Sequence, residues 1–209
     1  MRSGGSADAM LMQVATLHTY WLSQADAPEN VRVQRFGKGT VIYQPGDEQA
    51  HIHLIEKGVV KIGSYSPDGD RVVYDVLQPG EFFGDLRYLG NSVEFFEFAK
   101  AVTSVTVLLV SLPFFKHRIV HDPVLSDWFN SSVVRRWWKA ETRLLNMTRG
   151  DIEARLDNLR KEYDKDVRDG EGRRHNVLSL LSHQTIADLT GTTRQTVSRK
   201  LKDVSELVL

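Results

Sequence analysis

Residues 182–202 read S-H-Q-T-I-A-D-L-T-G-T-T-R-Q-T-V-S-R-K-L-K, an order of residue types that specifies two short helices joined by a tight turn. Ser182 can accept from the open amides of a helix start. Ile186 and Leu189 form an apolar stripe, and Ala187 is small enough to let a second helix approach. Gly191 stands where the chain must turn. Thr192 or Thr193 caps the second helix, whose inner face is Val197 and Leu201. The outer face carries Arg194, Gln195, Ser198, Arg199 and Lys202. Arg and Gln can make paired hydrogen bonds to base edges in a major groove. Ser182, Gln184, Thr193, Thr196 and Lys200 complete the candidate DNA-contacting set. The plain alternative is a two-helix piece of an ordinary core with a solvated basic face.

The 209-residue chain has room for one large domain or two small ones. Its 27 Lys and Arg balance its 27 Asp and Glu, but not evenly along the chain. From Arg173 to Lys202, six basic residues face a single acid, Asp188. Net neutrality therefore does not argue against nucleic acid, because the local field steers binding. Without cysteine there is no disulfide, thiolate zinc site, cysteine-ligated cluster or cysteine nucleophile. No apolar run reaches membrane-spanning length, and the start lacks a signal peptide's apolar stretch. A cytoplasmic protein is expected. Met1–Ser6 (M-R-S-G-G-S) is flexible in composition and is set aside from the fold.

Residues 8–24 suit a short amphipathic helix, with Leu11, Val14, Ala15, Leu17, Trp21 and Leu22. From about Val31 to Leu112, short β-branched runs alternate with turn residues. The runs are Thr40–Tyr43, His51–Ile55, Val59–Tyr65, Arg71–Leu77 and Lys100–Leu112. P-G-D at 45–47, E-K-G at 56–58, S-P-D-G-D at 66–70 and Q-P-G-E at 78–81 separate them, which predicts an antiparallel sandwich or barrel. From Pro113 the pattern is helical. Phe129, Val133, Trp137, Ala140, Leu144 and Met147 recur at threes and fours, with Val134, Trp138 and Leu145 as a second line. A helix with two apolar lines must bury both. One line is expected on the β-domain and the other on a second copy; a helix wholly buried within a monomer is the alternative. Asp151–Leu159 is expected to continue as helix, and the charged Lys161–Arg174 with its D-G-E-G to be an exposed connector.

This combination resembles the CRP/FNR family of bacterial transcription regulators over nearly the whole chain. The turn glycines of that family's β-roll are matched by F-G-K-G-T at 36–40, P-G-D at 45–47, E-K-G-V-V-K-I at 56–62, D-G-D at 68–70 and L-Q-P-G-E-F-F-G-D-L at 77–86. The long helix follows, then G-T-T-R-Q-T-V-S-R-K-L at 191–201, close to the family's recognition-helix pattern. The resemblance implies an α+β chain: a jelly-roll-like antiparallel β-roll sensor domain with its N-terminal helix at 8–116, a dimerisation helix at 117–150, and a helix-turn-helix domain at 151–209. It implies a homodimer on a palindromic site in double-stranded DNA, with dimer contacts from Phe129, Val133, Trp137, Ala140 and Leu144. RNA polymerase is a further candidate partner, and the small-molecule effector is unassigned. A β-hairpin wing after the recognition helix is expected to be missing.

In the family's cyclic-AMP-binding branch a Gly-Glu-Leu turn precedes an Arg-Ser-Ala segment, and the long helix supplies Thr and Ser. Here Gly84-Asp85-Leu86 matches the turn with a shortened acid. The second segment reads Glu94-Phe95-Phe96-Glu97-Phe98-Ala99, without arginine and with two carboxylates, and the helix positions fall near Ala140 and Glu141. A buried phosphate needs a cation and donors, so cyclic AMP in the usual mode is not expected; Lys100 and Arg87 are the nearby cations. The candidate pocket is Phe83, Gly84, Asp85, Leu86, Phe96, Glu97, Trp137 and Glu141. Its aromatics either line a pocket for an apolar effector or fill it; filling is the commoner fate.

No cofactor is expected. His51, His53, His117 and His121 are available as axial ligands for haem, but a lone histidine is more often structural. His51-Ile52-His53 resembles a cupin's H-x-H metal motif. The cupin spacing is missed on both sides, however, and Glu81-Phe82-Phe83-Gly84 stands where the later histidine would be. With Ile52 and Leu54 expected inward, the two histidines are expected to face water, and an enzyme is not expected.

Overall fold

The computed structural model describes residues 16–24, 26–87 and 95–206. A first helix, α1, runs through 16–22, followed by the short α2 (Ala27–Asn30). Leu11, Val14 and Ala15 lie outside the described residues. Eight strands follow: β1 (Val31–Phe36), β2 (Val41–Tyr43), β3 (His51–Lys57), β4 (Val60–Tyr65), β5 (Arg71–Leu77), β6 (Phe82–Phe83), β7 (Phe98–Ala101) and β8 (Val105–Ser111). They form two antiparallel four-stranded sheets, ordered β1-β8-β3-β6 and β2-β7-β4-β5. The run expected as one strand at Lys100–Leu112 is two, one in each sheet, with the chain crossing at 102–104. S-P-D-G-D closes the β4–β5 hairpin, with Ser66 N–H on Asp70 O at 2.8 Å and Gly69 N–H on Ser66 O at 2.9 Å.

The sheet containing β3 and β8 is covered on both faces. Ile52, Leu54, Leu108 and Val110 pack outward against Trp21, Phe114, Phe115 and Leu125 of the helices. Ile55, Val107 and Leu109 pack inward against Val60, Ile62, Leu77 and Phe83. That double cover corrects the expectation for β3. His53 does not face water: it is 6 % exposed and stacks on Phe83 at 4.7 Å. His51 is half-buried.

Helix α3 (Leu112–His121) ends at Asp122, whose carboxylate accepts from Val124 and Leu125 N–H and so caps α4 (Pro123–Arg149). The long helix thus begins at Pro123; residue 116 lies within α3. The helical path breaks at Gly150, and Asp151 caps a separate α5 (Ile152–Tyr163) through Ala154 N–H. The stretch expected to be a loose connector is a built hairpin, β9 (Asp166–Arg168) with β10 (Arg174–Asn176). Its turn closes on the carboxylate of Asp169, which is 2 % exposed and accepts from Glu171 and Arg173 N–H and the His175 ring. The charges that made 161–174 look exposed belong to one side of a hairpin whose other side buries Tyr163 and Val167. Gly170 packs closely there: a Cβ would meet Ser104 Oγ at 2.9 Å, and that hydroxyl would have to turn away. A 3₁₀ turn (Leu178–Leu180) then leads to α6 (His183–Thr190) and α7 (Arg194–Glu206).

Candidate DNA-reading surface and roll interior

The reading head follows from local chemistry. Ser182 Oγ accepts from Thr185 N–H at 3.1 Å and starts α6. Gly191 takes φ 60°, ψ 44°, the left-handed geometry that ends a helix and that glycine adopts without a Cβ penalty. Thr193 Oγ1 accepts from Thr196 N–H at 3.2 Å and starts α7. Ile186, Ala187, Leu189 and Val197 are buried between the helices and the rest of the head. Arg155 of α5 donates to the Thr190 and Gly191 carbonyls at 2.7 and 3.3 Å, satisfying the open end of α6. Thr193, Arg194, Gln195, Ser198 and Arg199 line a shallow open concavity of about 890 Å³.

Several members of the candidate set also bond within the head. Gln184 donates to Asp188 at 2.8 Å, and the Thr193 and Thr196 hydroxyls bond each other at 3.0 Å. Ser198 Oγ meets the His183 ring at 2.8 Å. Lys200 pairs with Glu153 of α5 at 2.5 Å, which turns this lysine toward the head's own frame. The side chain of Lys202 lies outside the described residues.

Aromatic rings pack on one another inside the roll. Tyr43 packs on Phe83 and Phe95 with ring centroids 5.9 and 5.7 Å apart. Glu97, in the segment where a phosphate-binding arginine would stand, accepts from the hydroxyls of Tyr43 and Tyr74. Burial raises its carboxyl above the usual range, with the two hydroxyls opposing that rise. Asp85 is turned onto its own loop, accepting from Arg87 N–H at 2.7 Å, while the Arg87 guanidinium donates to Gln49 O at 3.0 Å. Gly84 and Leu86 are half-buried, Phe96 is exposed, and Glu94 lies outside the described residues.

Helix α4 presents two different faces. Toward the roll it offers Phe129, then Arg136, Lys139 and Arg143. Phe129, half-buried, packs on Phe82 and Phe115 of its own chain. Arg136 donates to Phe82 O and lies over its ring. Lys139 and Arg143 clasp Asp75 of β5 and Glu162 of α5, at 2.6–3.3 Å, and Tyr163 donates to Asp75 at 3.0 Å. Burial alone would raise the Asp75 carboxyl, but the Lys139 and Arg143 charges outweigh it and hold it below the usual carboxylate range. Beyond Phe129 the roll-facing side is thus charged rather than apolar, because the β5 rim offers the Tyr74 carbonyl and the Asp75 carboxylate. This cluster was not foreseen; the 136, 139, 143 spacing of basic residues and the lone acid within the Arg71–Leu77 run were its traces.

Apart from Phe129, both apolar lines of α4 lie on the other face. Val134 is 61 % exposed, Trp137 64 %, Trp138 68 %, Leu144 64 % and Leu145 55 %; Val133 and Ala140 are exposed beside them. Trp137 and Glu141, nominated for the pocket, bond each other at 2.7 Å on this outward face and do not line the roll of their own chain. Among the described residues, no group of three or more His, Cys, Asp or Glu could hold a metal ion.

Comparison with known proteins accounts for both halves. Residues 33–121 match the cyclic nucleotide-binding domain, and residues 139–207 match the Crp-like helix-turn-helix domain. The chain belongs to the CRP/FNR family of transcription regulators. It is 27 % identical over 202 residues to the global nitrogen regulator of Synechococcus elongatus, covering 94 % of this chain and 89 % of that one. It is 24 % identical to the CRP-like cAMP-activated global transcriptional regulator of Mycobacterium tuberculosis, over 80 % of this chain and 75 % of that one. A CRP/FNR-family regulator of Thermus thermophilus superposes with a TM-score of 0.65 at 20 % identity, over 84 % of this chain and 86 % of that one. This CRP/FNR regulator is a DNA-binding protein and not an enzyme. Among the described residues, no helix is long and apolar enough to cross a membrane.

Proposed function

We propose that this regulator works in the cytoplasm as a homodimer on a palindromic DNA site, through a roll that does not take cyclic AMP in the usual mode. The observation that carries the reading is the outward face of α4. Val133, Val134, Trp137, Trp138, Leu144 and Leu145 leave an apolar stripe several turns long that stands exposed among the described residues. An apolar patch of that kind on a helix is the surface of an interface. Paired two-fold along α4, two copies would set their α7 helices about 34 Å apart, one duplex turn. Arg194, Gln195 and Arg199 would then read bases, with RNA polymerase as the next partner on the promoter.

The reading of the roll rests on Glu97. A cyclic phosphate entering there would meet a carboxylate held by two tyrosines, with Phe95 and Phe83 filling the space behind. Each missing charged hydrogen bond is worth about 1.5–3 kcal/mol, and about 1.4 kcal/mol is tenfold in affinity. Light scattering at micromolar concentration tests the assembly: a dimer for the native chain and a monomer for Trp137→Glu/Leu144→Glu. A monomeric native chain, or half-sites bound as tightly as whole operators, would refute the dimer. Saturable quenching of tryptophan fluorescence by low-micromolar cyclic AMP would refute the reading of the roll.

A further inference from the structure

Strand β5 ends its sheet, so one side of it has no ladder partner. Open edge amides are solvated or covered by another element. Here the cover comes from the reading head. Val73 N–H donates to Asp188 Oδ2 of α6 at 3.0 Å, joining residues 115 positions apart. Gln184 Nε2 donates to the other carboxylate oxygen at 2.8 Å and fixes its rotation. Burial and the Lys100 charge hold Lys61, on the neighbouring strand β4, below the usual lysine range, and the Asp188 charge opposes that fall. Beside this contact the two halves share one apolar cluster: Val59, Val73, Val76 and Phe98 from the roll with Ile186, Ala187, Leu189 and Val197 from the head. Gly58 N–H on Arg168 O and Gly170 N–H on Ser104 O, at 2.9 and 2.8 Å, tie the β9–β10 hairpin to the same side of the roll.

Apolar contact lets the head slide; a charged acceptor aimed at one amide does not. The chain also supplies a pivot, since the helical path breaks between α4 and α5 at Gly150. The angle of α6 sets that of α7, because Val197 packs in one core with Ile186, Ala187 and Leu189 and Arg155 clasps the carbonyls of the turn. The DNA-facing residues remain open in this arrangement, so the contact orients the reading surface without covering it.

We propose that Asp188 is a positioning residue for DNA reading: it latches α6 to the open edge of β5 and thereby sets the angle at which the roll presents α7. The proposal rests on the dimeric reading above, in which two α7 helices must reach two half-sites together. The test uses the full chain with Asp188→Ala, which removes the acceptor, and Asp188→Asn, which keeps an acceptor oxygen. Amide hydrogen exchange followed at Val73 should show protection abolished in Asp188→Ala and restored in Asp188→Asn. Affinity for a whole operator should fall roughly tenfold in Asp188→Ala, with half-site affinity unchanged, and recover in Asp188→Asn. Protection of Val73 that persists in Asp188→Ala, or whole-operator affinity unchanged once protection is gone, would overturn the latch. A native chain that binds half-sites and whole sites alike would instead refute the dimer, and Val73 exchange would still decide the latch.

Discussion

The reading head and the roll handle charge in opposite ways. On α7 the charged and amide groups stand outward around a small apolar core, and only the turn needs a special backbone geometry. In the roll and its junction with α4, the charges are inside: Asp75 is 5 % exposed under Lys139 and Arg143, and Glu97 sits between two tyrosine hydroxyls. An outward charge has water as its alternative partner; a buried one has none. Substitutions in the head should therefore change binding and leave stability alone. Substitutions in the roll should do the reverse.

The largest effect should come at Asp75. Asp75→Ala leaves Lys139, Arg143 and the Tyr163 hydroxyl without their shared acceptor, although Glu162 still faces both cations. Breaking a buried pair from one side costs about 3–5 kcal/mol. Calorimetry should show a melting temperature roughly 10 °C lower, with a smaller drop for Asp75→Asn. A change below about 1 kcal/mol would place this cluster in the same class as surface ion pairs.

Acid should weaken the roll next. Burial lowers His18 from 6.5 to about 4 and His53 from 6.5 to about 3, so both are neutral when folded. Below about pH 6.5 the unfolded chain takes up protons that the folded chain refuses, and stability falls as pH falls. At pH 5 the loss is about 2 kcal/mol for each histidine. Glu81 and Glu97, whose carboxyls burial raises, act in the opposite sense. The histidine's share is thus the difference between the native chain and His18→Leu. Equal pH slopes for the two from pH 7 to 5 would show that His18 is not held neutral.

The same contrast explains what could be read from the sequence. The head was legible because its determinants are local: Ser182, Gly191 and Thr193 each act within a few residues. Most strands were legible from their β-branched runs and turn glycines. The burial of His53 was not, because its cover comes from Phe83, thirty residues on, and from Tyr43 on a strand of the other sheet. The Asp75 cluster joins residues 64–88 positions apart, and no periodicity announces such a partner. Phe129 fitted the helical stripe, yet its place near the start of α4 turns it onto Phe82 and Phe115. The latch of Asp188 was hidden for a related reason: within α6 it reads as one acid on a solvated face.

In the head, Arg194→Ala or Arg199→Ala should weaken a selected operator by about 1–3 kcal/mol and relax the sequence preference at one position. The melting temperature should stay within about 1 °C of the native value, since neither side chain has a buried partner to strand. Competition binding against a panel of single-base variants of the operator measures both. Uniform weakening across the panel would make these arginines phosphate contacts instead.

The smallest effect should be at Lys200, and it separates two roles that the sequence alone could not. Read on the helix, Lys200 is one more outward cation for phosphate. In the structure its ammonium lies 2.5 Å from Glu153, with Glu153 67 % exposed, so it braces α7 against α5 at the surface. Surface pairs of this kind contribute about 0–1 kcal/mol. Lys200→Ala should accordingly change operator affinity by less than about threefold and stability by less than about 1 kcal/mol. The decisive measurement is the dependence of affinity on salt. Removing a cation that neutralises a phosphate lowers the slope of log K against log salt by nearly one unit, because one fewer counterion is released. A brace leaves the slope unchanged. A slope reduced by about one in Lys200→Ala, with Glu153→Gln leaving affinity as it was, would return Lys200 to the DNA and make the Glu153 pair a resting place it abandons on binding.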